Sequence, residues 1–445
     1  MSLWARASQM AAQTPASRNR YADFLRVASI GVVVFGHWLA AAPYLAPDGR
    51  LVATHILAVE DWTRWLTWGI QVMPIFFMVG GFSNAITWQA ACRSRIGYAA
   101  WLSGRLRRLV WPVMPLLVAW IGMGCLAYFV ELSDAMLRAG SQLALIPIWF
   151  LAVYLGVVVL VPWSHGLWVR HGWRSFAGFV AAAVALDVAF FSGLRPLGWL
   201  NYVFVWSAVH QLGYAWSDGL LSGRRRNVVM AVVGLGLLVI LTSTELAPYP
   251  RSMVGVPGEV VSNTTPPKIP LIALALAQAG ILLGLEPPMR RWLARPAPWT
   301  ATVLISSMIM TVYLWHMTAL VLWIGFVYSV GPDWPGGLGL LLEPGTAAWW
   351  RGRPVWLAVL AMVLTPLALV FGRFERPSPA AGAPPVGRLV AGAVLFVVGL
   401  AYLSKDGISG GGPFGLRISV LALPMLGALL IGIAGRGTRN EKETG

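Results

Sequence analysis

Charged side chains are scarce in this chain of 445 residues, because Asp, Glu, Lys and Arg together make up only 11% of it. Soluble globular domains carry about 25% charged residues. Hydrophobic residues account for 58% of the chain, and its mean hydropathy is +0.69. These values exclude a water-soluble globular protein and indicate a chain that lies mostly within a lipid bilayer.

Cysteine is scarce as well, since the chain contains only Cys92 and Cys125. The two residues fall near opposite ends of two successive predicted helices, so the sequence predicts no disulfide between them. Neither cysteine has the spacing to other Cys or His residues that is typical of a metal site. The sequence therefore predicts neither a metal centre nor thiol chemistry.

Acidic side chains are fewer than basic ones, with 17 Asp and Glu against 33 Lys and Arg, which gives a net charge of +16. In a soluble protein this balance would indicate nucleic-acid binding. Here the basic residues gather in alternate connections between apolar runs, as the positive-inside rule requires of cytoplasmic loops. The distribution places both termini in the cytoplasm. It predicts the lipid bilayer, and no nucleic acid, as a partner.

Long apolar runs recur throughout the chain. A run of about 17–25 residues is long enough to cross the hydrocarbon core of a bilayer as a helix. Such runs lie at residues 27–43, 68–90, 109–130, 147–163, 175–192, 199–217, 228–244, 269–285, 301–328, 354–372, 389–403 and 417–434. The sequence therefore predicts an all-α, polytopic transmembrane bundle of about twelve helices.

The first predicted span carries two ionisable residues in register. Arg26 and His37 are eleven positions apart, which on an α-helix is about 16 Å of rise and close to three whole turns. Both thus lie on one helix face, with Arg26 at the cytoplasmic edge and His37 expected near the middle of the membrane. Ionisable groups at such depth are costly and indicate function. The alternatives are that Arg26 only anchors the helix end and that His37 only bonds to a neighbouring helix.

Two further groups of polar residues flank this face. Asp23 precedes Arg26 by three residues, so it either orients the guanidinium or forms a simple ion pair. Arg105 and Arg108 are also three residues apart on one predicted helix face. Two adjacent guanidinium groups suit bidentate binding of phosphate. Their alternative role is to supply positive charge at a cytoplasmic helix start.

An ordered set of motifs resembles a known family. It comprises Arg26 with His37, the stretch Phe76–Phe82, Arg105 and Arg108 followed by Pro112, Trp149-Phe150-Leu151, and Tyr313-Leu314-Trp315-His316. In this order and spacing the chain resembles the acyltransferase-3 family of bacterial integral membrane O-acyltransferases over about residues 20–376. One departure is Gly80-Gly81-Phe82, where the family often has Ser-Gly and an aromatic residue.

The resemblance implies a ten-helix acyltransferase core with two additional C-terminal helices. We accordingly expect a cytoplasmic N-terminal tail, the acyltransferase-3-like membrane domain, a linker, the two added helices and a cytoplasmic C-terminal tail, at residues 1–20, 21–376, 377–387, 388–436 and 437–445. The implied location is the inner, or cytoplasmic, membrane of a bacterial cell. The role of the two added helices is not evident from the sequence.

The resemblance also implies a reaction. Such enzymes take an acyl group, commonly a short one such as acetyl, from cytoplasmic acyl-CoA and place it on a hydroxyl of a carbohydrate, glycolipid or similar acceptor. Acyl-CoA would be a co-substrate, and no permanently bound cofactor is expected. Arg26, Arg105 and Arg108 would bind its phosphates. His37 would act as general base or, less favoured, as a nucleophile. Asp23 would support catalysis by orienting Arg26.

Weaker candidates for the acceptor path are Asn84, Trp149, Tyr154, Tyr313 and His316, all of which also suit helix packing or an interfacial belt. We expect Gly80 and Gly81 to permit a close approach of helices. Three further histidines, His55, His165 and His171, fall in predicted loops and are expected to be solvated.

Two other functions remain open at the level of sequence. A glycosyltransferase that uses a lipid-linked sugar needs carboxylates in outer loops, and Glu60-Asp61 lies in the first outer loop. A transporter could use intramembrane Arg and His together with helix-breaking Gly and Pro. The glycosyltransferase does not need a histidine in register with Arg26, and the sequence shows no related halves of the kind that transporters often have.

Overall fold

The structure is a computed structural model that describes residues 2–15, 17–243, 247–330, 341–375 and 382–433. These residues form nineteen α-helices and one short hairpin. The first eleven helices are α1 Leu3–Ala12, α2 Arg20–Ala40, α3 Ile56–Val59, α4 Thr63–Ile70, α5 Met73–Arg93, α6 Tyr98–Val110, α7 Val113–Phe129, α8 Asp134–Leu145, α9 Ile148–Val159, α10 Val161–His171 and α11 Trp173–Phe191. The others are α12 Asn201–Ser217, α13 Arg224–Thr242, α14 Ile269–Leu293, α15 Pro296–Ser306, α16 Ile309–Val330, α17 Ala347–Phe371, α18 Val386–Asp406 and α19 Ile418–Ile431.

Helices long and apolar enough to span a membrane confirm the predicted fold class, an all-α polytopic bundle. Within the described residues nine helical segments pass this test, and the pair α8–α9, bent by 46°, makes a tenth if it is one span. The predicted number was about twelve. The difference arises because α12 has only 17 residues and α19 only 14.

The expected C-terminal tail, 437–445, lies outside the described residues, as does the first part of the expected linker, 377–381. The expected N-terminal tail, by contrast, is largely helical, because α1 occupies Leu3–Ala12. Ser2 caps this helix by accepting a hydrogen bond from the backbone N–H of Ala5. Such caps satisfy donors that a helix start leaves unpaired.

The chain divides into two compact units. The first comprises Met1–Thr87, Trp163–Ile309 and Ile324–Ala361. Within it, α13 packs along α14. A Cβ added at Gly234 would overlap the backbone of α14, and one added at Gly280 would overlap that of α13. Small residues of this kind let helix backbones touch, which is how helices associate in lipid.

The second unit comprises Trp88–Pro162, Met310–Trp323 and Met362–Gly445. Within it, the added helix α18 packs against α19, α9, α8 and α6. Arg107 of α6 donates from Nε to the carbonyl oxygen of Ile431, at the end of α19, over 3.3 Å. A cation at a helix C-terminus complements the helix dipole. The two added helices therefore pack against and stabilise α6, the helix that carries Arg105 and Arg108.

Candidate functional site

The start of α2 places Asp23 and Arg26 in contact. Asn19 caps the helix by accepting from the backbone N–H groups of Tyr21 and Ala22, both over 3.1 Å. Asp23 then lies in the first turn, where a carboxylate is favoured by the helix dipole. Its Oδ1 accepts from Arg26 Nη1 over 3.2 Å. The contact expected from the three-residue spacing is thus present.

The Arg26 guanidinium is held from two sides. In addition to the bond with Asp23, its Nη2 donates to Ser83 Oγ of α5 over 3.1 Å. The Arg26 side chain is 34% exposed. A guanidinium has five N–H donors in a fixed plane, and these two bonds use two of them. The group is therefore fixed in orientation and can still bind an anion.

His37 lies nearer the end of α2 than the sequence suggested. It belongs to the last turn of the helix, and its carbonyl oxygen accepts from the backbone N–H of Ala41 over 2.9 Å. The predicted span 27–43 begins seven residues after the helix does, since Arg20 already opens α2. This shift places His37 toward the C-terminal end of the helix, and its depth near the middle of the membrane stays a prediction.

A buried arginine, missed in the sequence, closes the C-terminal end of α2. Arg353 of α17 is 3% exposed and donates from Nη1 to the carbonyl oxygen of Ala41 over 3.2 Å. Its Cζ lies 4.0 Å from the ring centroid of Trp349 and 4.8 Å from that of Trp356. Trp356 in turn donates to the carbonyl oxygen of Trp38 over 2.9 Å. The spacing of 349, 353 and 356, which puts all three on one helix face, was the available signal.

The loop after α2 folds back onto the helix end. Strands β1, Tyr44–Leu45, and β2, Leu51–Val52, pair antiparallel, and Gly49 takes the positive φ of +79° in their turn. Beyond the hairpin, Ala42 donates to the carbonyl oxygen of Thr54 over 3.0 Å, and Ala41 pairs with His55 in a β-bridge. The loop is thus fixed against α2.

His55 and His165 are not solvated as expected. Burial of the His55 ring lowers its pKa to about 4, and its Nδ1 is buried with no hydrogen-bond partner among the described residues. His165 is 7% exposed and packs edge-on to Tyr214, with 5.2 Å between ring centroids. Both lie in ordered structure, where the sequence predicted loops. His171 is exposed, as predicted.

A second polar contact joins α5 to α12. Asn84 Nδ2 lies 3.3 Å from His210 Nε2, and both residues are buried. The close helix approach expected at the glycine pair is present at Gly81, where an added Cβ would overlap the carbonyl oxygen of His210. Sequence reasoning missed His210. Its signal was a histidine inside the predicted span 199–217, where ionisable residues are rare.

The second unit holds the other two predicted arginines. Arg105 is half-buried and Arg108 exposed, near the end of α6. Arg105 Cζ lies 5.9 Å from the ring centroid of Trp101, a cation–π distance. The adjacent Arg107 is bonded to α19. Arg105 and Arg108 therefore share a side of the helix from which Arg107 points away.

The weaker candidates of the second unit gather around one aromatic ring. The ring of Phe150 lies 6.4 Å from Trp149, 5.8 Å from Tyr154 and 5.9 Å from Tyr313, between centroids. The Tyr313 hydroxyl donates to the carbonyl oxygen of Pro147 over 2.7 Å. These contacts give the aromatic residues a packing role.

His316 is fully buried and bonded within its own helix. Its Nδ1 lies 2.6 Å from the carbonyl oxygen of Tyr313. Because a carbonyl oxygen only accepts, Nδ1 carries the hydrogen. The bond fixes the tautomer of the ring in the way that second partners of functional histidines do.

The carboxylates on which a glycosyltransferase would depend, predicted to lie in an outer loop, are engaged in local contacts. Glu60 Oε2 accepts from Trp62 Nε1 over 3.1 Å. Asp61 pairs with Arg64 over 3.1 Å, and Arg64 also pairs with Glu259 over 3.2 Å. Within the described residues, no group of three or more His, Cys, Asp or Glu could hold a metal ion.

A protein-family model described as an acyltransferase domain matches residues 19–373. The match covers most of the chain, includes every predicted site residue and ends before α18. No curated protein and no solved structure gives a significant match.

Proposed function

The chain belongs to the acyltransferase family that this domain model describes, and we propose that it moves a short acyl group from cytoplasmic acyl-CoA to a hydroxyl of a carbohydrate or glycolipid at the outer face. The protein is thus a membrane acyltransferase, and the donor, the acceptor and the direction of transfer are our proposal. The cytoplasmic membrane, with both termini inside, is the proposed location. The arginine-rich alternate connections support this topology.

The observation that carries the proposal is the arrangement of α2. Arg26 is held by Asp23 and Ser83 with N–H donors still available, and His37 stands on the same helix about 16 Å further along. Acyl-CoA has the same layout, because a long pantetheine arm separates its phosphates from its thioester. A phosphate on Arg26 would leave the arm free to carry the thioester toward His37.

The proposed chemistry is general-base catalysis by His37. Its neutral imidazole removes the proton of the acceptor hydroxyl while the hydroxyl oxygen attacks the thioester carbonyl carbon. The carbon–sulfur bond breaks, and the imidazolium returns the proton to the leaving thiolate. The products are an ester and the CoA thiol. The alternative is attack by His37 itself, which would give an acyl-histidine before the acceptor reacts.

Arg105 and Arg108 provide a second candidate site for phosphate. CoA carries several phosphate charges, so more than one arginine group is needed to bind them. We assign these two residues to the donor because they share one side of α6 and because Arg108 is exposed. Bidentate guanidinium binding gives both affinity and orientation. Asn84, Trp149, Tyr154, Tyr313 and His316 stay proposals for the acceptor path.

The donor assignment is tested by comparing acetyl-CoA with S-acetylpantetheine, which has the same thioester but no phosphates. In purified protein in nanodiscs, Arg26→Ala is expected to lower kcat/KM for thiol release from acetyl-CoA about 10- to 100-fold. The reason is that a hydrogen bond to a charged group contributes about 1.5–3 kcal/mol. Thiol release from S-acetylpantetheine should change little.

Arg225→Ala is the matched control, because Arg225 is exposed in the first turn of α13 and its loss changes the net charge equally. It should leave both substrates unaffected. Equal use of the two thioesters by the wild type, or an equal loss of both in Arg26→Ala, would contradict phosphate binding by Arg26.

A further inference from the structure

We propose that His55 is a specificity residue on the acceptor side of the site, where its Nδ1 accepts a hydrogen bond from a second hydroxyl of a polyhydroxylated acceptor while His37 takes the proton of the reacting hydroxyl. This inference rests on the proposed function and deepens it, because it names a residue that selects a polyhydroxylated acceptor over a simple alcohol.

The backbone positions His55 next to the outer end of the catalytic helix. It pairs with Ala41 in an antiparallel β-bridge, and residues opposite each other in such a pair have Cβ atoms about 5 Å apart. Ala41 follows His37 by four residues, or about 6 Å of helix rise. His55 therefore lies about one helical turn beyond His37, on the side that the topology turns toward the acceptor.

His55 has an unused hydrogen-bonding atom. Its Nδ1 is buried without a hydrogen-bond partner among the residues that the structure describes. Nearly all buried polar side-chain atoms in proteins are hydrogen-bonded, and one left unpaired costs about 1–3 kcal/mol. His55 precedes α3 at the capping position, yet its side chain makes no capping bond. Within the described part of the chain, Nδ1 thus has no structural partner.

The ring remains within reach of a ligand. His55 as a residue is only half-buried, and the χ2 torsion of histidine is broad, so the ring can rotate to meet a ligand. The loop itself is fixed, because Ile56 packs with Ala42 and Trp349 in a buried cluster. A ligand would therefore meet the imidazole on a rigid support.

Burial favours the neutral form of His55, because it lowers the pKa of the ring to about 4. His37 and His55 also interact electrostatically, so a positive charge on one disfavours a positive charge on the other. A neutral imidazole can accept a hydrogen bond at one nitrogen, and a hydroxyl can donate it.

The two histidines would then have different roles, and His55 would not change its protonation state. The reacting hydroxyl gives its proton to His37, which passes it to the leaving thiolate. The neighbouring hydroxyl donates to His55 Nδ1 and keeps its hydrogen. Only an acceptor with at least two nearby hydroxyls uses both rings, which distinguishes a sugar from a simple alcohol.

The test compares octyl glucoside with 1-octanol as acceptors in nanodiscs, with acetyl-CoA as the donor. The quantity measured is the ratio of kcat/KM for the two acceptors. The wild type should favour octyl glucoside, and His55→Ala should lower the ratio at least tenfold. His55→Asn should restore most of it, because its amide places a polar atom near the position of Nδ1. His55→Gln, which places the amide one bond further out, should not.

The outcomes separate the two proposals. A ratio that is unchanged in His55→Ala, or a wild type that shows no preference for octyl glucoside, overturns the role of His55. Equal rescue by Asn and Gln overturns the assignment to Nδ1. Failure of the proposed function has a different signature, which is thiol release that is absent in the wild type or unaffected by His37→Ala. Folding of each variant is checked by its thermal unfolding, and Asn is a favoured residue before a helix.

Discussion

Replacing His37 with alanine is expected to lower kcat for acyl transfer by about 10²- to 10⁴-fold, the usual contribution of a positioned general base. Alanine has no group that can take the proton of the acceptor hydroxyl. The KM for acyl-CoA should change little, because the phosphates are assigned to Arg26 and not to His37. The fold should survive, since the nearby bonds at the end of α2 involve backbone atoms of Trp38 and Ala41.

This prediction is tested by measuring the initial rate of thiol release from acetyl-CoA by purified protein in nanodiscs. His171→Ala is the control, because His171 is an exposed histidine at the end of α10. It should match the wild type. If His37→Ala retained more than about a tenth of the wild-type kcat, His37 would not be the general base.

Replacing Gly81 with alanine should prevent the first unit from folding normally. At this position α5 and α12 touch backbone to backbone: a Cβ on Gly81 would overlap the carbonyl oxygen of His210, and one on Gly213 would overlap that of Met78. Because backbone atoms cannot rotate away, the two helices would have to separate. Overpacking typically costs about 1–3 kcal/mol and sometimes more, and we expect the upper end here. The separation would also break the contact between Asn84 and His210.

The comparison is thermal unfolding in detergent, followed by the loss of monodisperse protein on size-exclusion chromatography. Gly31→Ala is the matched control, because Gly31 also lies inside a helix, α2, and an added Cβ would have no neighbour within 4 Å. This control should be neutral or slightly stabilising, since alanine favours helix over glycine by about 0.5–1 kcal/mol. A Gly81→Ala protein as stable as Gly31→Ala would contradict the described contact.

Much of the fold follows from local sequence. Runs of apolar residues predict spanning helices because each helix satisfies its own backbone in lipid. The contact of Asp23 with Arg26 is likewise local, since three residues bring two side chains together on any helix. The family resemblance also came from residues read in order. These features needed no knowledge of which helices are neighbours.

The features that the sequence did not reveal all depend on contacts between distant segments. His210 becomes a partner of Asn84 only because glycines let α12 approach α5. His55 reaches the end of α2 because a hairpin turns the chain back. Arg353 closes that end from a helix more than 300 residues further along the chain. Hydropathy alone places His55 in a loop, Arg353 at a helix end and His210 inside a span, and it assigns a partner to none of them.

The central claim is that this chain takes acyl groups from the cytoplasmic side and that His37 is required. The most direct test measures thiol release from acetyl-CoA, which does not cross membranes, added to inside-out and to right-side-out vesicles that contain the wild type or His37→Ala. The account predicts release only in inside-out vesicles with the wild type. Release in right-side-out vesicles, or release of equal rate from His37→Ala, would contradict it.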